Sequence, residues 1–228
     1  TYYVMAGLTV IALGLTSWVP GMAPVALGKR RMWGDIKEGL IYTKKNRTVL
    51  VLLLVALSTA LLAMPFRTLL PVQIEEVFKL EVEALGLMLS MIGVGALIGS
   101  LVIAGLSKNS RRGWVLLITS MLSGGAILLA SVTTSYAVAL VIMVILGLGD
   151  SGRRALNSSL IMEQTDDEHR GRVMGVYMMN FGLIPLGALP LGFISAFLDV
   201  RIAFALAGGG LLAAAIGYTV LTDKVRRL

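Results

Sequence analysis

The chain has 228 residues, 57% of them apolar and 14% charged, with a formal net charge of +7. Soluble domains carry about 25% charged residues, so this is not one, and a basic nucleic-acid binder concentrates polarity on one face in a way this chain does not. With no cysteine and a single histidine, disulfides, thiol nucleophiles, cysteine-rich zinc or iron–sulfur sites and histidine-rich metal sites are excluded as well.

A hydrocarbon core about 30 Å thick needs roughly 20 apolar residues per helix, and open strands cannot satisfy their backbone there. The apolar runs predict an all-α integral membrane protein with seven transmembrane helices, at about 3–27, 48–71, 83–106, 113–132, 136–160, 172–197 and 201–221. The first run has no basic flank of the signal-peptide kind and starts at Thr1, not at a methionine. It reads as a helix (1–28) belonging to an N-terminal half that this sequence lacks. Segment 29–47 holds Lys29, Arg30, Arg31, Lys37, Lys44, Lys45 and Arg47, with Trp33, Ile36, Leu40 and Ile41 at near-helical spacing. That pattern predicts an amphipathic linker lying on the inner headgroup surface. Its Asn46-Arg47-Thr48 matches a glycosylation acceptor, which has no meaning on a cytoplasmic face. Residues 48–228 then form a six-helix bundle.

The joints set the orientation. Basic residues mark 29–47, the third joint (Lys108, Arg111, Arg112), the fifth (Arg170, Arg172) and the tail (Lys224, Arg226, Arg227), whereas 72–82 carries Glu75, Glu76 and Glu81 against Lys79. The positive-inside rule puts the basic joints and the C-terminus in the cytoplasm and Thr1 outside.

Polar residues inside the spans gather in the first and fourth helices of the bundle. Helix 48–71 has Ser58, Thr59, Arg67 and Thr68, and helix 136–160 has Asp150, Ser151, Arg153, Arg154, Asn157, Ser158 and Ser159. First and fourth are equivalent positions in two three-helix inverted repeats, the arrangement in which secondary transporters place their site at the repeat interface. Asp150, Arg153 or Arg154, and Asn157 share a helix face. A membrane-embedded carboxylate beside arginines is a functional-site candidate because burying it is costly. Two readings of Asp150 stand at this point: a proton carrier, or a permanent pair with Arg154 while the arginines snorkel to the interface. Arg67 either attracts an anionic substrate or reaches the outer interface.

Gly93, Gly95, Gly99 and Gly105 lie along the second helix of the bundle, and Gly182, Gly187 and Gly192 with Pro185 and Pro190 along the fifth. No strand precedes the first set, so a dinucleotide fingerprint is ruled out. Small residues that let membrane helices approach closely explain them, and the prolines predict a kink in the fifth helix. No phosphate-binding Walker loop is present, so the chain has no ATP site of that kind. No cofactor is expected. His169, in Asp166-Asp167-Glu168-His169, reads as a solvated loop residue.

Leu70-Pro71-Val72, Gly86-Leu87 and the run Gly93-Val-Gly95-Ala-Leu-Ile-Gly99 resemble the seventh and eighth helices of the major facilitator superfamily, in its enterobactin-exporter-like and macrolide-efflux-like branch. Gly105-Leu-Ser-Lys-Asn-Ser-Arg111-Arg112-Gly113 is similar to the family's basic loop, with Asn109 where an aspartate is usual. Glu163 followed by Arg170-Gly171-Arg172 resembles the end of helix ten and the start of helix eleven. The resemblance spans the chain as helices six to twelve of twelve. It implies a secondary transporter of the bacterial plasma membrane that exports amphiphilic, drug-like or siderophore-like small molecules by alternating access, coupled to an ion gradient, usually protons. Helices seven and ten would line the cavity, placing Asp150, Arg67, Arg153, Arg154 and Asn157 on the substrate or proton pathway. Helices eight and eleven would face the absent half. Glu163, Arg170, Arg172 and Arg112 would form a gating charge network, or else serve only as topology determinants. The partners implied are the lipid bilayer, the missing six-helix half, a substrate and a coupling ion, with no nucleic acid. Two further classes remain: a permease subunit driven by a separate ATPase, and a membrane-embedded enzyme, for which only the loop acids 166–168 offer chemistry.

Overall fold

The computed structural model describes residues 2–17, 32–106 and 111–222, and its regular structure is entirely helical. Helix α1 (Tyr2–Ser17) belongs to a unit ending at Gly34, and residues from Asp35 onward form a second unit. The rest of the first predicted span, with Lys29, Arg30, Arg31, Lys108, Asn109, Lys224, Arg226 and Arg227, lies outside the described residues.

The second unit starts in the linker helix α2 (Met32–Lys45) and continues into six helices long and apolar enough to cross a membrane. They are α3 (Arg47–Phe78), α4 (Glu83–Ala104), α5 (Arg112–Val132), α6 (Tyr136–Glu163), α7 (Asp167–Phe197) and α8, whose apolar stretch is Val200–Val220. Asn46 caps α3, its side-chain oxygen accepting from the Thr48 and Val49 amides at 3.1 and 3.4 Å. The apparent glycosylation sequence is thus the start of a helix.

Helix α3 runs seven residues past its expected end at 71, because Pro71 is accommodated inside it. Proline removes one backbone donor, and buried Gln73 and Ile74 hold the chain in helical register beyond it. A π turn at Thr59–Ala63 precedes Pro65, and a second at Ile74–Phe78 leads to Lys79 in the left-handed region at φ 55°. Helix α7 breaks at Leu183, between Asp167–Gly182 and Ile184–Phe197, with Pro185 in the first turn of the second piece. The expected kink is there.

Two apolar clusters fill the bundle, one toward each end. Val49, Leu52, Leu116, Leu117, Leu156, Leu160 and Val173 form one. Phe66, Leu70, Met88, Ile92, Ile127, Met143 and Phe204 form the other. Between them, α3, α5 and α6 carry buried polar residues: Thr59 on α3, Thr119, Ser120 and Ser123 on α5, Asp150 and Arg153 on α6. The hydroxyls donate to carbonyls of their own helices, which satisfies them at little cost. The charges require partners from elsewhere.

Glycines set the closest approaches. On α4, Gly95 and Gly99 meet the α6 backbone at Val144 and Leu148, and Gly147 on α6 meets Ile92 and Ala96. Gly124 and Gly208 join α5 to α8, and Gly187 packs against Leu61 in the π turn of α3. The family resemblance turns the second and fifth helices of the bundle toward the absent half. Gly95, Gly99 and Gly187 instead close seams inside this bundle, whereas Gly93, Gly182 and Gly192 face open space. Even so, α4 and α7 are the least covered spans, with 22% and 17% of their most apolar windows buried against 56% for α3 and α5.

Candidate functional site

The π turn in α3 has a visible consequence. It presents the Thr59 hydroxyl to α6, where it accepts a hydrogen bond from Arg153 Nη1 at 2.7 Å. Arg153 is 1% exposed and donates through Nη2 to Asp150 Oδ1. The other carboxylate oxygen of Asp150 accepts from Arg154 Nη2, one helical turn along, and from Arg67 Nη2 on α3 at 3.1 Å. Asp150, near the middle of the 28-residue helix α6, therefore holds three guanidinium groups and ties α3 to α6. Both arginines that had been open to snorkelling turn their head groups onto it, and so does Arg67.

Beside this cluster is a small pocket lined by Thr59, Arg153, Arg154 and Asn157 and by Tyr177 and Asn180 of α7, with Ala60, Met64, Phe181 and Ile184 as apolar walls. Its volume of about 30 Å³ has room for little more than one water molecule. The Arg153 Nε and the Asn157 Oδ1 are buried with no hydrogen-bond partner in the structure. Of the five residues expected on the pathway, Asp150, Arg67, Arg153 and Arg154 are in one ion cluster, and Asn157 lines the adjoining pocket. The sequence reading missed Tyr177 and Asn180. Both are isolated polar residues in an apolar helix, and only the approach of α7 to α3 and α6 brings them to the pocket.

The four residues expected to share a gating network separate into local sets. Arg112 on α5 donates to Glu163 at 2.7 Å, and Ser159 donates to the same carboxylate oxygen at 3.0 Å. Arg170 pairs with Asp167 at 2.7 Å and reaches the Met162 carbonyl at 3.2 Å. Arg172 turns to the linker, donating to Asp35 at 3.2 Å and to Glu38 at 2.9 Å. Arg170 and Arg172 therefore do not pair with Glu163. The reason is reach: α2 packs on the first turns of α7 through Gly39, whose missing side chain admits the Arg172 backbone, and its acids are closer to Arg172.

The linker is fastened further by Tyr42, whose hydroxyl donates to the Asp166 carboxylate at 3.1 Å and accepts from the Asp166 amide at 3.2 Å. Asn46 donates to the Gln164 carbonyl at 3.2 Å. His169, expected in solvent, is partly covered and stacks on Tyr42 with ring centroids 4.5 Å apart. Leu40 and Ile41 on α2 are exposed, which leaves an apolar flank. Among the described residues no group of three or more histidine, aspartate or glutamate side chains is arranged to hold a metal ion.

Comparison with known proteins agrees with this geometry. The family model described as Major Facilitator Superfamily matches residues 1–186 and, in an overlapping match, 50–227. The "Staphyloferrin A transporter" of Staphylococcus aureus (strain NCTC 8325 / PS 47) is 31% identical over 124 residues, which is 54% of this chain and 31% of that protein. No solved structure gives a significant match. A family model that covers nearly the whole sequence, on a bundle of six membrane-length helices, assigns the chain: it belongs to the Major Facilitator Superfamily.

Proposed function

We propose that this chain supplies the C-terminal half of a secondary active transporter, working with an N-terminal six-helix half by alternating access. A proton-coupled efflux of amphiphilic small molecules, of the drug or siderophore-like kind, fits the resemblance of its motifs. The match to a protein named for staphyloferrin A transport agrees with the siderophore-like option. The observation that carries the reading is the cluster of Arg67, Asp150, Arg153 and Arg154 between two apolar cores. A soluble enzyme has no use for a charge cluster at that depth, whereas a transporter needs a polar site at the midplane.

In the proposed cycle α3 and α6 form one wall of a central cavity, and the open faces of α4 and α7 meet the other half. Both oxygens of Asp150 are engaged by guanidinium N–H groups in this state. Proton exchange at Asp150 therefore belongs to another state, in which Arg67 and Arg154 have moved away. At the basic end, the Arg112–Glu163 pair and the Arg172–linker pairs must yield when that end opens.

The test is transport by the full-length protein in proteoliposomes under an imposed proton gradient. Asp150→Asn is expected to abolish gradient-driven transport while the protein still folds; a folded variant that still pumps would remove Asp150 from the mechanism. Absence of any gradient-driven transport across a compound panel would remove the transporter reading itself. For orientation, single cysteines near Glu76 and Ser135 are expected to label from outside in intact cells, and those near Lys44 and Glu168 only after permeabilisation. Labelling at Lys44 in intact cells reverses the assignment.

A further inference from the structure

The linker helix α2 has two unlike faces. Asp35, Gly39, Tyr42, Thr43 and Asn46 recur at three and four residues and share one side. Thr43 is buried, Gly39 admits the Arg172 backbone, and Asp35, Tyr42 and Asn46 bond to α7 and the turn before it. Lys37, Leu40, Ile41, Lys44 and Lys45 lie on the other side, and all five are exposed, Leu40 by 47% and Ile41 by 45%.

The faces differ in charge as well. Both acids of the linker, Asp35 and Glu38, are engaged by Arg172. Among the described residues, Lys37, Lys44, Lys45 and Arg47 have no acidic partner. Four unbalanced bases therefore border two exposed aliphatic side chains. Position sets the depth of this face: Arg47 is the first residue of the spanning helix α3, so the last turn of α2 lies where hydrocarbon gives way to head groups. At the bend between α2 and α3 an open groove of about 470 Å³ is lined by Tyr42, Lys45, Asn46, Arg47 and Thr48. A water takes about 30 Å³, so the groove has room for a phosphodiester. The Asn46 side chain already caps the α3 amides, which leaves Lys45 and Arg47 to attract an anion there.

We infer that the outer face of α2 docks on anionic phospholipid, with Leu40 and Ile41 against the upper acyl chains and a phosphodiester in the groove between Lys45 and Arg47. Charge selects the occupant. A surface of negative head groups neutralises all four bases, and each base near such a surface adds to the attraction. An uncharged lipid offers Leu40 and Ile41 the same apolar contact but leaves the bases unbalanced. On the orientation read from the basic joints, the lipid belongs to the inner leaflet.

Fluorescence quenching in lipid nanodiscs tests it, with the full-length protein freed of cysteine elsewhere and a fluorophore attached at Ile41→Cys. A nanodisc offers the lipid on both faces, so the result holds whichever side the linker occupies. The probes are phosphatidylglycerol and phosphatidylcholine, each brominated on its acyl chains. Phosphatidylglycerol is expected to quench at a share of the bilayer at least about fivefold lower, the preference that one base beside a negative head group supplies. Salt is expected to shrink that preference, and a fluorophore at Leu129→Cys, exposed on α5, is expected to show none. Lys45→Gln together with Arg47→Gln is expected to remove the preference at Ile41 and to leave the unfolding temperature near wild type. If that variant folds poorly, Lys37→Gln with Lys44→Gln serves, and is expected to weaken the same preference. Equal quenching by the two lipids, the same preference at Leu129, or a preference unchanged in the folded double variant overturns the inference. Quenching at Ile41 by neither lipid overturns it too, and assigns the face to water or to the facing half.

Discussion

Two of the arginine–carboxylate clusters among the described residues are built on different terms. Around Asp150 one carboxylate serves three guanidiniums: Asp150 and Arg153 are buried between apolar clusters, while Arg67 and Arg154 are each more than a third exposed. At the basic end Arg172, Asp35, Glu38, His169, Tyr42 and Asp166 form a larger set, in which Arg172, Asp35 and Glu38 are 29%, 32% and 49% exposed. In the first, the Asp150–Arg153 contact is shielded from water, so losing either member leaves a stranded charge. In the second, water and salt compete, so each contact is weak and only the set as a whole holds the linker. The same residue types therefore make a fixed site in one place and a releasable fastening in the other.

The largest effect is expected from Asp150→Ala. Removing the carboxylate leaves Arg153 buried with only Thr59 as partner, a change that costs about 3–5 kcal/mol when one member of a buried pair is lost. Thermal unfolding of the full-length protein measures it. A melting temperature equal to wild type would show that water reaches the cluster and erase the contrast between the two regions. Asp150→Asn, which keeps the shape and a hydrogen-bond acceptor, is expected to fold better than Asp150→Ala.

Gly147→Leu sharpens the same side of the comparison. A leucine side chain has no room against the Ile92 carbonyl and Ala96, so α4 must move off α6 at a cost of about 1–3 kcal/mol or more. The change is read as reduced yield and a lower unfolding temperature. The control is Gly93→Leu, which faces open space and is expected to be near neutral.

Next comes Arg112→Ala, which removes the bond to Glu163 at a site where the arginine is 19% and the glutamate 48% exposed. Stability is expected to fall by no more than about 1 kcal/mol, while the rate of opening at that end rises. Measured thiol accessibility of a cysteine at Ser159 checks the second half of this statement. Accessibility unchanged from wild type would mean that the pair gates nothing.

The smallest effect is expected at the linker. A double-mutant cycle between Arg172→Ala and Glu38→Ala is expected to give a coupling of roughly 0.2–1 kcal/mol, shrinking as ionic strength rises. A coupling as large as that of the Asp150 cluster would place the linker among the rigid parts of the bundle.

Much of this was legible in the chain itself. Hydrophobic run length alone locates the six spans, because a helix must cross a hydrocarbon slab of set thickness. The concentration of polar residues in 48–71 and 136–160 singles out α3 and α6, because a charge in that slab is too costly to be placed casually. Pro185 marks the break in α7 by lacking a backbone donor. What could not be read was partnership. Gly95 and Gly99 announce a close approach without naming α6 as the helix approached, and Tyr177 and Asn180 look like stray polar residues until α7 is seen beside α3.

Arg172 shows the same limit from the charged side. The family resemblance implies one network with Glu163, yet a long side chain pairs with whichever carboxylate the packing brings near, here Asp35 and Glu38. Composition and run length thus determined by themselves that this chain lives in a bilayer as a helical bundle with costly charges on two helices, since the energy of transfer to hydrocarbon depends on residue type alone. Only the tertiary structure decided that Asp150 holds three arginines, that one of them keeps a buried N–H without a partner, and that the linker takes Arg172. Those facts depend on distances between helices, and neither composition nor local spacing specifies such distances.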